Sequence, residues 1–290
     1  MIIDFHVHTF PDKIAGKVTD RLGAAAGVEP ATDATVSGLN ASMKEAGVDY
    51  SVNLPVATSA RQVSSVNDRL IRTKEELERQ GVITFGAMHP DFEDYRQELR
   101  RLSDAGIRGI KLHPAYQGID LTDIRYKRII AAASDLDLAV TIHAGIDVGI
   151  HERNYASVPQ ILEILREVSP PKFILAHMGG WAAWDEVERD IAGAPLWLDT
   201  AFTIGPVTPH HSAKPGPFSH ITLADEDFVR LCRAHGTDRV LFATDCPWQD
   251  QSRYVRRFRE LPFTDGERER IFHVNAEQLL SPFPARTREG

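Results

Sequence analysis

The chain has 290 residues, 42% of them apolar, and a net charge of −8 from 33 Lys plus Arg against 41 Asp plus Glu. That length suits one large α/β domain, and an acidic chain with no Lys/Arg block is a poor partner for nucleic acid or an anionic membrane. The two cysteines, Cys232 and Cys246, make neither a disulfide framework nor a CxxC metal site; with no apolar run near the roughly 18 residues of a membrane span and no signal peptide before the first polar cluster, the expectation is a cytoplasmic protein with free thiols.

In chain order, short β-branched and apolar runs at 2–6, 50–54, 82–88, 109–113, 139–143, 173–177, 196–200 and 240–244 predict eight strands. Amphipathic stretches at 63–80, 92–105, 121–134, 158–168, 183–191 and 225–234 predict helices between them. Gly81 and Gly106 follow two of these as helix exits, and Thr122 or Asp123 can cap a third. Strands alternating with helices argue for parallel βαβ units, and eight of them fit a closed (β/α)8 TIM barrel better than an open doubly wound sheet. One barrel domain is expected over residues 1–283, with 284–290 as a frayed tail. The longest irregular segment, 202–220, carries His210, His211, Lys214 and His220, and a loop of that size in a compact domain usually serves function.

The chemistry falls at the ends of the strands. His6 and His8 close the first run, Lys111 and His113 the fourth, His143 the fifth, His177 the sixth, and Asp245 follows the eighth. In a parallel barrel those ends share one face, the face on which active sites are built. His6 and His8, spaced i and i+2, point to one side of a strand and can meet at one ion, with Asp4 expected one step deeper on that side. Lys111 shares a face with His113 and is expected to pair with a substrate carboxylate or with Asp4. Asp245 also has a plainer reading as a helix N-cap. A set of three His (His6, His8, His143) and Asp245 suits one divalent metal ion, Zn²⁺ first and Mn²⁺ or another divalent ion as alternatives. Such an ion lowers the pKa of a bound water toward ~7. Asp245 can take that proton, and His177, beside the ion, is the candidate acid or base. Trp181, Trp184, Trp197 and Trp248 are candidates for the pocket mouth.

Taken together, these residues resemble the amidohydrolase superfamily. The resemblance rests on His6-Val7-His8, His143, His177 and Asp245 in that order, and it covers nearly the whole chain. The segments Gly109-Ile110-Lys111-Leu112-His113-Pro114, Ala176-His177-Met178-Gly179-Gly180 and Thr244-Asp245-Cys246-Pro247-Trp248 are most similar to the amidohydrolase-related branch, which includes decarboxylases of aromatic acids. The resemblance implies His6, His8, His143 and Asp245 as metal ligands, His177 as a nearby acid/base residue, and a homodimer; Lys111 and His113 are candidate substrate-binding residues from their place at the end of strand 4. Some members carry a carboxylated lysine on strand 4, in which case Lys111 would bridge two metals.

Two other families open with HxH. A phosphoesterase of the polymerase and histidinol phosphatase type needs a late Asp-x-His pair, where this chain has Asp245-Cys246-Pro247. A metal-dependent deoxyribonuclease wants a Glu on strand 4, where Lys111 and His113 stand. The leading expectation is a metal-dependent hydrolase that turns an activated water on an amide, ester or lactone of a small anionic substrate. The alternative is a metal-dependent, non-oxidative decarboxylase of a small carboxylic acid, which needs the same residues. A metal-free lactonase and a degenerate binding barrel remain behind these.

Overall fold

The structure, a computed structural model, describes residues 1–212 and 221–283. Lys214, His220 and the expected tail at 284–290 lie outside the described residues. Eight strands run parallel in sequence order. They are strand 1, Ile3–Val7, strand 2, Tyr50–Asn53, strand 3 in two pieces, Val82–Thr84 and Gly86–Ala87, and strand 4, Gly109–Leu112. Strands 5 to 8 are Ala139–Ile142, Phe173–Leu175, Trp197–Asp199 and Val240–Leu241. Each pairs with its sequence neighbour. The ring closes between the last strand and the first, where Phe5 N–H donates to Phe242 O (2.8 Å), Asp245 N–H to His6 O (2.8 Å) and His8 N–H to Cys246 O (2.7 Å). The expected (β/α)8 barrel is therefore the fold. Strand 3 was expected unbroken over 82–88. It is split at Phe85, whose ring sits edge-on to Phe5 at 5.8 Å inside the barrel.

Two layers of core hold the barrel. The interior is filled by Phe5, Val52, Phe85, Ile174 and Leu241, and the C-terminal Ala276, Leu279 and Leu280 pack against this cluster. Asn275 fixes that C-terminal helix by donating to the carbonyls of Thr237 and Val240 (2.8 and 2.7 Å). The second layer lies between strands and helices, with Ile110, Leu112, Val140, Ile142, Phe173 and Leu175 against helix residues such as Ile129 and Ile161. Alternation along strands 4 to 6 divides the two layers, as the period of two requires.

The helices begin and end where local chemistry dictates. Asp123, not Thr122, caps helix Ile124–Ser134 by accepting from Arg125 N–H (2.9 Å). Ser157 and Gln160 form a capping box on helix Val158–Glu167. The longer helices that were not expected are Asp12–Ala26, Val36–Ala46 and Gln251–Glu260. The first hides from a hydrophobic scan because the residues it buries are Ala15, Thr19 and Gly23. No helix among the described residues is long and apolar enough to cross a membrane.

Candidate metal and active site

Strand 1 does not alternate cleanly. Its register with strand 2 shifts between Asp4 and Val7, and a bulge of this kind re-aims the residues beyond it. His6 and His8 turn to the floor of a cavity at the C-terminal end of the barrel. Asp4 does not join them. Its carboxylate accepts from Thr244 N–H (2.9 Å), Thr244 Oγ1 (2.5 Å) and Gln251 Nε2 (2.7 Å), tying the strand to helix Gln251–Glu260. The expectation that Asp4 lies beneath His6 and pairs with Lys111 is corrected.

The tautomers of the floor histidines follow from their outer partners. His8 Nδ1–H donates to Leu54 O (2.8 Å), an atom that can only accept. His6 Nδ1–H donates to Asp199 Oδ2 (2.8 Å). Both Nε2 atoms therefore carry bare lone pairs, yet they lie 3.2 Å apart. Asp245 Oδ1 completes the group, 3.1 Å from His8 Nε2 and 3.6 Å from His6 Nε2. That oxygen is buried and accepts no hydrogen bond. Three acceptors converge with their own donors spent elsewhere; the Lys111 ammonium reaches His6 Nε2 (3.3 Å), while Asp245 Oδ1 is left without a donor, so the residues fit a divalent metal. Burial raises the Asp245 carboxyl, but the His6 and His8 rings outweigh it and hold the group below its ordinary range. Asp245 has φ +70° and caps no helix; the next helix is capped by Asp250. The plainer reading of Asp245 thus fails.

His143 and His177 stand beside this trio. His177 Nδ1–H donates to Ala201 O (2.9 Å), which leaves Nε2 to accept from His143 Nδ1–H (3.0 Å). His143 groups with His113 and Asp147 rather than with His6, His8 and Asp245. Its ring stacks on His113 at 4.3 Å, and its Nε2 faces Asp147 Oδ2 at 3.8 Å. Burial pushes His143 and His113 well below the imidazole range, and it lowers His177 too. All three are neutral rings at neutral pH. Lys111 is wholly buried with its Nζ 3.3 Å from His6 Nε2. Burial pushes it down to about 8, with Asp199, Asp245 and Asp147 opposing.

Two carboxylates escaped the sequence reading of the site. Asp199, at the end of strand 7, accepts from the His177 and Ala201 N–H groups (both 3.0 Å) through Oδ1 while holding His6 through Oδ2. Asp147 lies in the loop after strand 5. Its Oδ1 accepts from Gly149 and Ile150 N–H (both 2.9 Å), and its Oδ2 faces His113 Nε2 at 3.6 Å. Burial pushes its carboxyl up to about 6 against those two backbone bonds. Its loop is seated by Gly145, where a Cβ would lie 2.2 Å from Trp181 N; Trp181 N–H donates to Ala144 O, and Ile146 N–H to Trp181 O. Arg153 of the same loop turns away, pairing with Asp120. His211 binds Glu29 (2.9 Å) and His210 faces Asp20 (3.8 Å), and neither lines the cavity. Trp181 and Trp248 line it, whereas Trp184 supports it from behind by donating Nε1–H to His177 O (3.0 Å). Trp197 packs on the barrel interior.

The cavity above this floor has a volume of about 560 Å³, within the roughly 300–1,000 Å³ that encloses a small-molecule ligand. Its walls are largely apolar, with Ile14, Val18 and Leu22 along one face of helix Asp12–Ala26. The backbone is left-handed at four non-glycine residues around it, His177, Met178, Phe202 and Asp245, with φ between +52° and +70°. Strain of this sort clusters at functional sites.

The family model described as amidohydrolase matches residues 3–281. The chain belongs to the amidohydrolase family. It is an enzyme of that family, hydrolase or carboxy-lyase. No curated protein matches this amidohydrolase in sequence. Among solved structures it is similar to an uncharacterised TIM-barrel protein of Bordetella bronchiseptica, with 20% identity over 96% of this chain and 98% of that one and a TM-score of 0.69. It is similar to a dihydroxybenzoic acid decarboxylase of Polaromonas sp., solved with manganese and the inhibitor 2-nitroresorcinol, with 14% identity, 98% of each chain covered and a TM-score of 0.71. A 5-carboxyvanillate decarboxylase of Sphingomonas paucimobilis is similar at 15% identity, over 97% and 98% of the two chains, with a TM-score of 0.67. At these identities the likeness is one of fold.

Proposed function

We propose that this amidohydrolase is a metal-dependent, non-oxidative decarboxylase of a small aryl or unsaturated carboxylic acid, the alternative rather than the leading expectation of the sequence. The observation that carries the reading is Asp147, a buried, cavity-facing carboxyl whose pKa burial pushes up to about 6, close enough to neutral for it to exchange a proton there. Decarboxylation replaces a C–COO⁻ bond by C–H and releases CO2, so it needs a proton delivered to carbon. An acid with a pKa near the working pH delivers it best. The apolar walls serve the same end by keeping water from the carbanionic carbon. The decarboxylases among the similar structures support this choice of reaction.

One divalent ion, held by His6 Nε2, His8 Nε2 and Asp245 Oδ1 and approached by His143, would supply a positive anchor for the oxygens of the substrate. Two imidazoles and a carboxylate suit Zn²⁺ and Mn²⁺ alike, and manganese is the ion in two similar structures. Asp245, ionised, balances part of that charge. The Lys111 ammonium and the His113 ring face the cavity floor and bind the carboxylate of the substrate. His177 Nε2, left as an acceptor by the Nδ1–H bond to Ala201 O, exchanges its bond from His143 Nδ1–H for the proton of a substrate group adjacent to the carboxylate. Asp147 Oδ2 gives its proton to the carbon.

The test is CO2 release from a panel of hydroxybenzoic and related acids by the metal-loaded protein, run beside hydrolysis of aryl amides and lactones. CO2 release that drops at least 100-fold in both Asp147→Asn and His177→Ala, with metal content kept, is the expected result. Hydrolysis of a lactone or amide with no CO2 from any acid would overturn the proposal and restore the hydrolytic reading.

A further inference from the structure

Helix Val63–Arg79 follows strand 2 and presents two faces. Val63, Asn67, Leu70 and Leu77 turn into the core, and Val66 and Arg69 turn to the cavity. Arg69 is half-buried there. Across from it stands the apolar face of helix Asp12–Ala26, Ile14, Val18 and Leu22.

Arg21 also lines the cavity but is exposed, so water serves its guanidinium; several other arginines have protein partners. Arg101, Arg125, Arg230, Arg233 and Arg257 are ion-paired, and Arg108 donates to Leu280 O (2.6 Å). Among the described residues Arg69 has no hydrogen-bonding or ion-pairing partner for its guanidinium. Burial lowers its pKa. A guanidinium taken partly out of water without a partner is costly, and its rigid fork is made for a planar carboxylate. A half-buried, unpartnered arginine on a largely apolar stretch of the cavity wall is a site left for an anion of the ligand.

We infer that Arg69 is a specificity-determining residue that pairs with a second carboxylate of the substrate, so that the enzyme takes a dicarboxylate whose two acid groups are joined by an apolar, ring-bearing spacer. This rests on the decarboxylase reading and adds the substrate class to it. One acid group lies on the floor near Lys111 and His113, the spacer runs between Val66 and Ile14, Val18 and Leu22, and the other acid group meets Arg69. A purely structural Arg69 would instead act through its aliphatic stem, which can cover apolar surface while the head group reaches water. Methionine keeps most of that stem and loses the charge, so it separates the two.

The experiment is calorimetric binding of matched pairs to the manganese-loaded protein: benzoate with terephthalate, 3-phenylpropionate with 4-(2-carboxyethyl)benzoate, and biphenyl-4-carboxylate with biphenyl-4,4′-dicarboxylate. In the wild type at least one dicarboxylate binds ten-fold or more tightly than its monocarboxylate partner. Arg69→Met removes that preference and leaves the monocarboxylate affinity within about two-fold, and Arg69→Lys restores part of it. A wild type that discriminates in none of the pairs, or a preference that survives in Arg69→Met, overturns the assignment. Binding is read without turnover, so failure here is separate from failure to release CO2.

Discussion

Asp199 shows how one side chain can set the chemistry of a floor it does not face. Through Oδ2 it fixes the His6 tautomer, and through Oδ1 it clamps the backbone N–H groups of His177 and Ala201. A bare Nε2 on His6 exists only because Nδ1–H has an acceptor. Asp199→Asn keeps the shape and leaves an amide oxygen for the backbone donors, but turns an NH2 toward His6 Nδ1. His6 must then accept at Nδ1 and carry its proton on Nε2, where the metal would bind. The loss of an outer partner of this kind typically lowers metal affinity by ~10–100-fold. The prediction is therefore that Asp199→Asn folds normally by circular dichroism and loses metal ~10–100-fold more readily to a competing chelator. Unchanged retention of metal would show that the tautomer is not set by Asp199. From sequence, His6, His8, His143, His177 and Asp245 were legible because each sits at a strand end that the fold gathers to one face. Asp199 was not, because one aspartate closing an apolar run looks like any loop start; its role appears only when the barrel gathers the ends of strands 1, 6 and 7 around one floor.

At the scale of elements, the helices record which forces are visible in a linear pattern. Helix Val158–Glu167, with a capping box and buried Ile161 and Ile164, could be read directly. Helix Asp12–Ala26 could not, since small residues meet the barrel and its larger apolar side chains line the cavity instead. The bulge in strand 1 was also invisible: the i, i+2 rule holds for His6 and His8 but fails for Asp4, because one slipped register inverts every side chain on its far side. Helix Asp225–His235 carries a testable electrostatic conflict. Its terminal His235 would gain ~0.3–1 kcal/mol from the helix dipole if protonated. Burial wins, pushing its pKa down to about 4. The neutral ring is used on both sides, accepting from Gly193 N–H (3.3 Å) and donating to Leu196 O (3.1 Å). A histidine whose folded pKa lies below its unfolded value binds fewer protons when folded, so its stabilising effect is complete above the unfolded pKa of about 6.5 and is lost as pH falls toward about 4. The size of that loss is about 3 kcal/mol at most. Urea unfolding at pH 7.5 and pH 4.5 should show His235→Gln less stable than wild type at the higher pH and markedly less sensitive to acid. Equal acid sensitivity in both proteins would remove His235 from the account.

For the molecule as a whole, the barrel closes where the proposed metal ligands stand. The bonds that join the last strand to the first, Asp245 N–H to His6 O and His8 N–H to Cys246 O, belong to the residues whose side chains form the trio. Metal occupancy and closure of the ring would thus be coupled: a cation among His6, His8 and Asp245 would draw together residues from strand 1 and from beyond strand 8. In its absence three buried acceptors face one another at 3.1 to 3.6 Å. A ligand that binds only the folded chain stabilises it by about 2.7 kcal/mol at one hundred times its Kd, and a domain of this size shifts its Tm by roughly 2–4 °C per kcal/mol. Removal of metal with a chelator should therefore lower the Tm by about 5–10 °C, and re-addition of Zn²⁺ or Mn²⁺ should restore it. Differential scanning calorimetry with Asp245→Ala as the control decides the matter. The variant loses a ligand and relieves the acceptor repulsion at once, so its Tm should respond little to either chelator or added metal. If metal raises the Tm of Asp245→Ala as far as that of the wild type, the stabilising ion sits elsewhere, and the group of His113, His143 and Asp147 becomes the place to look.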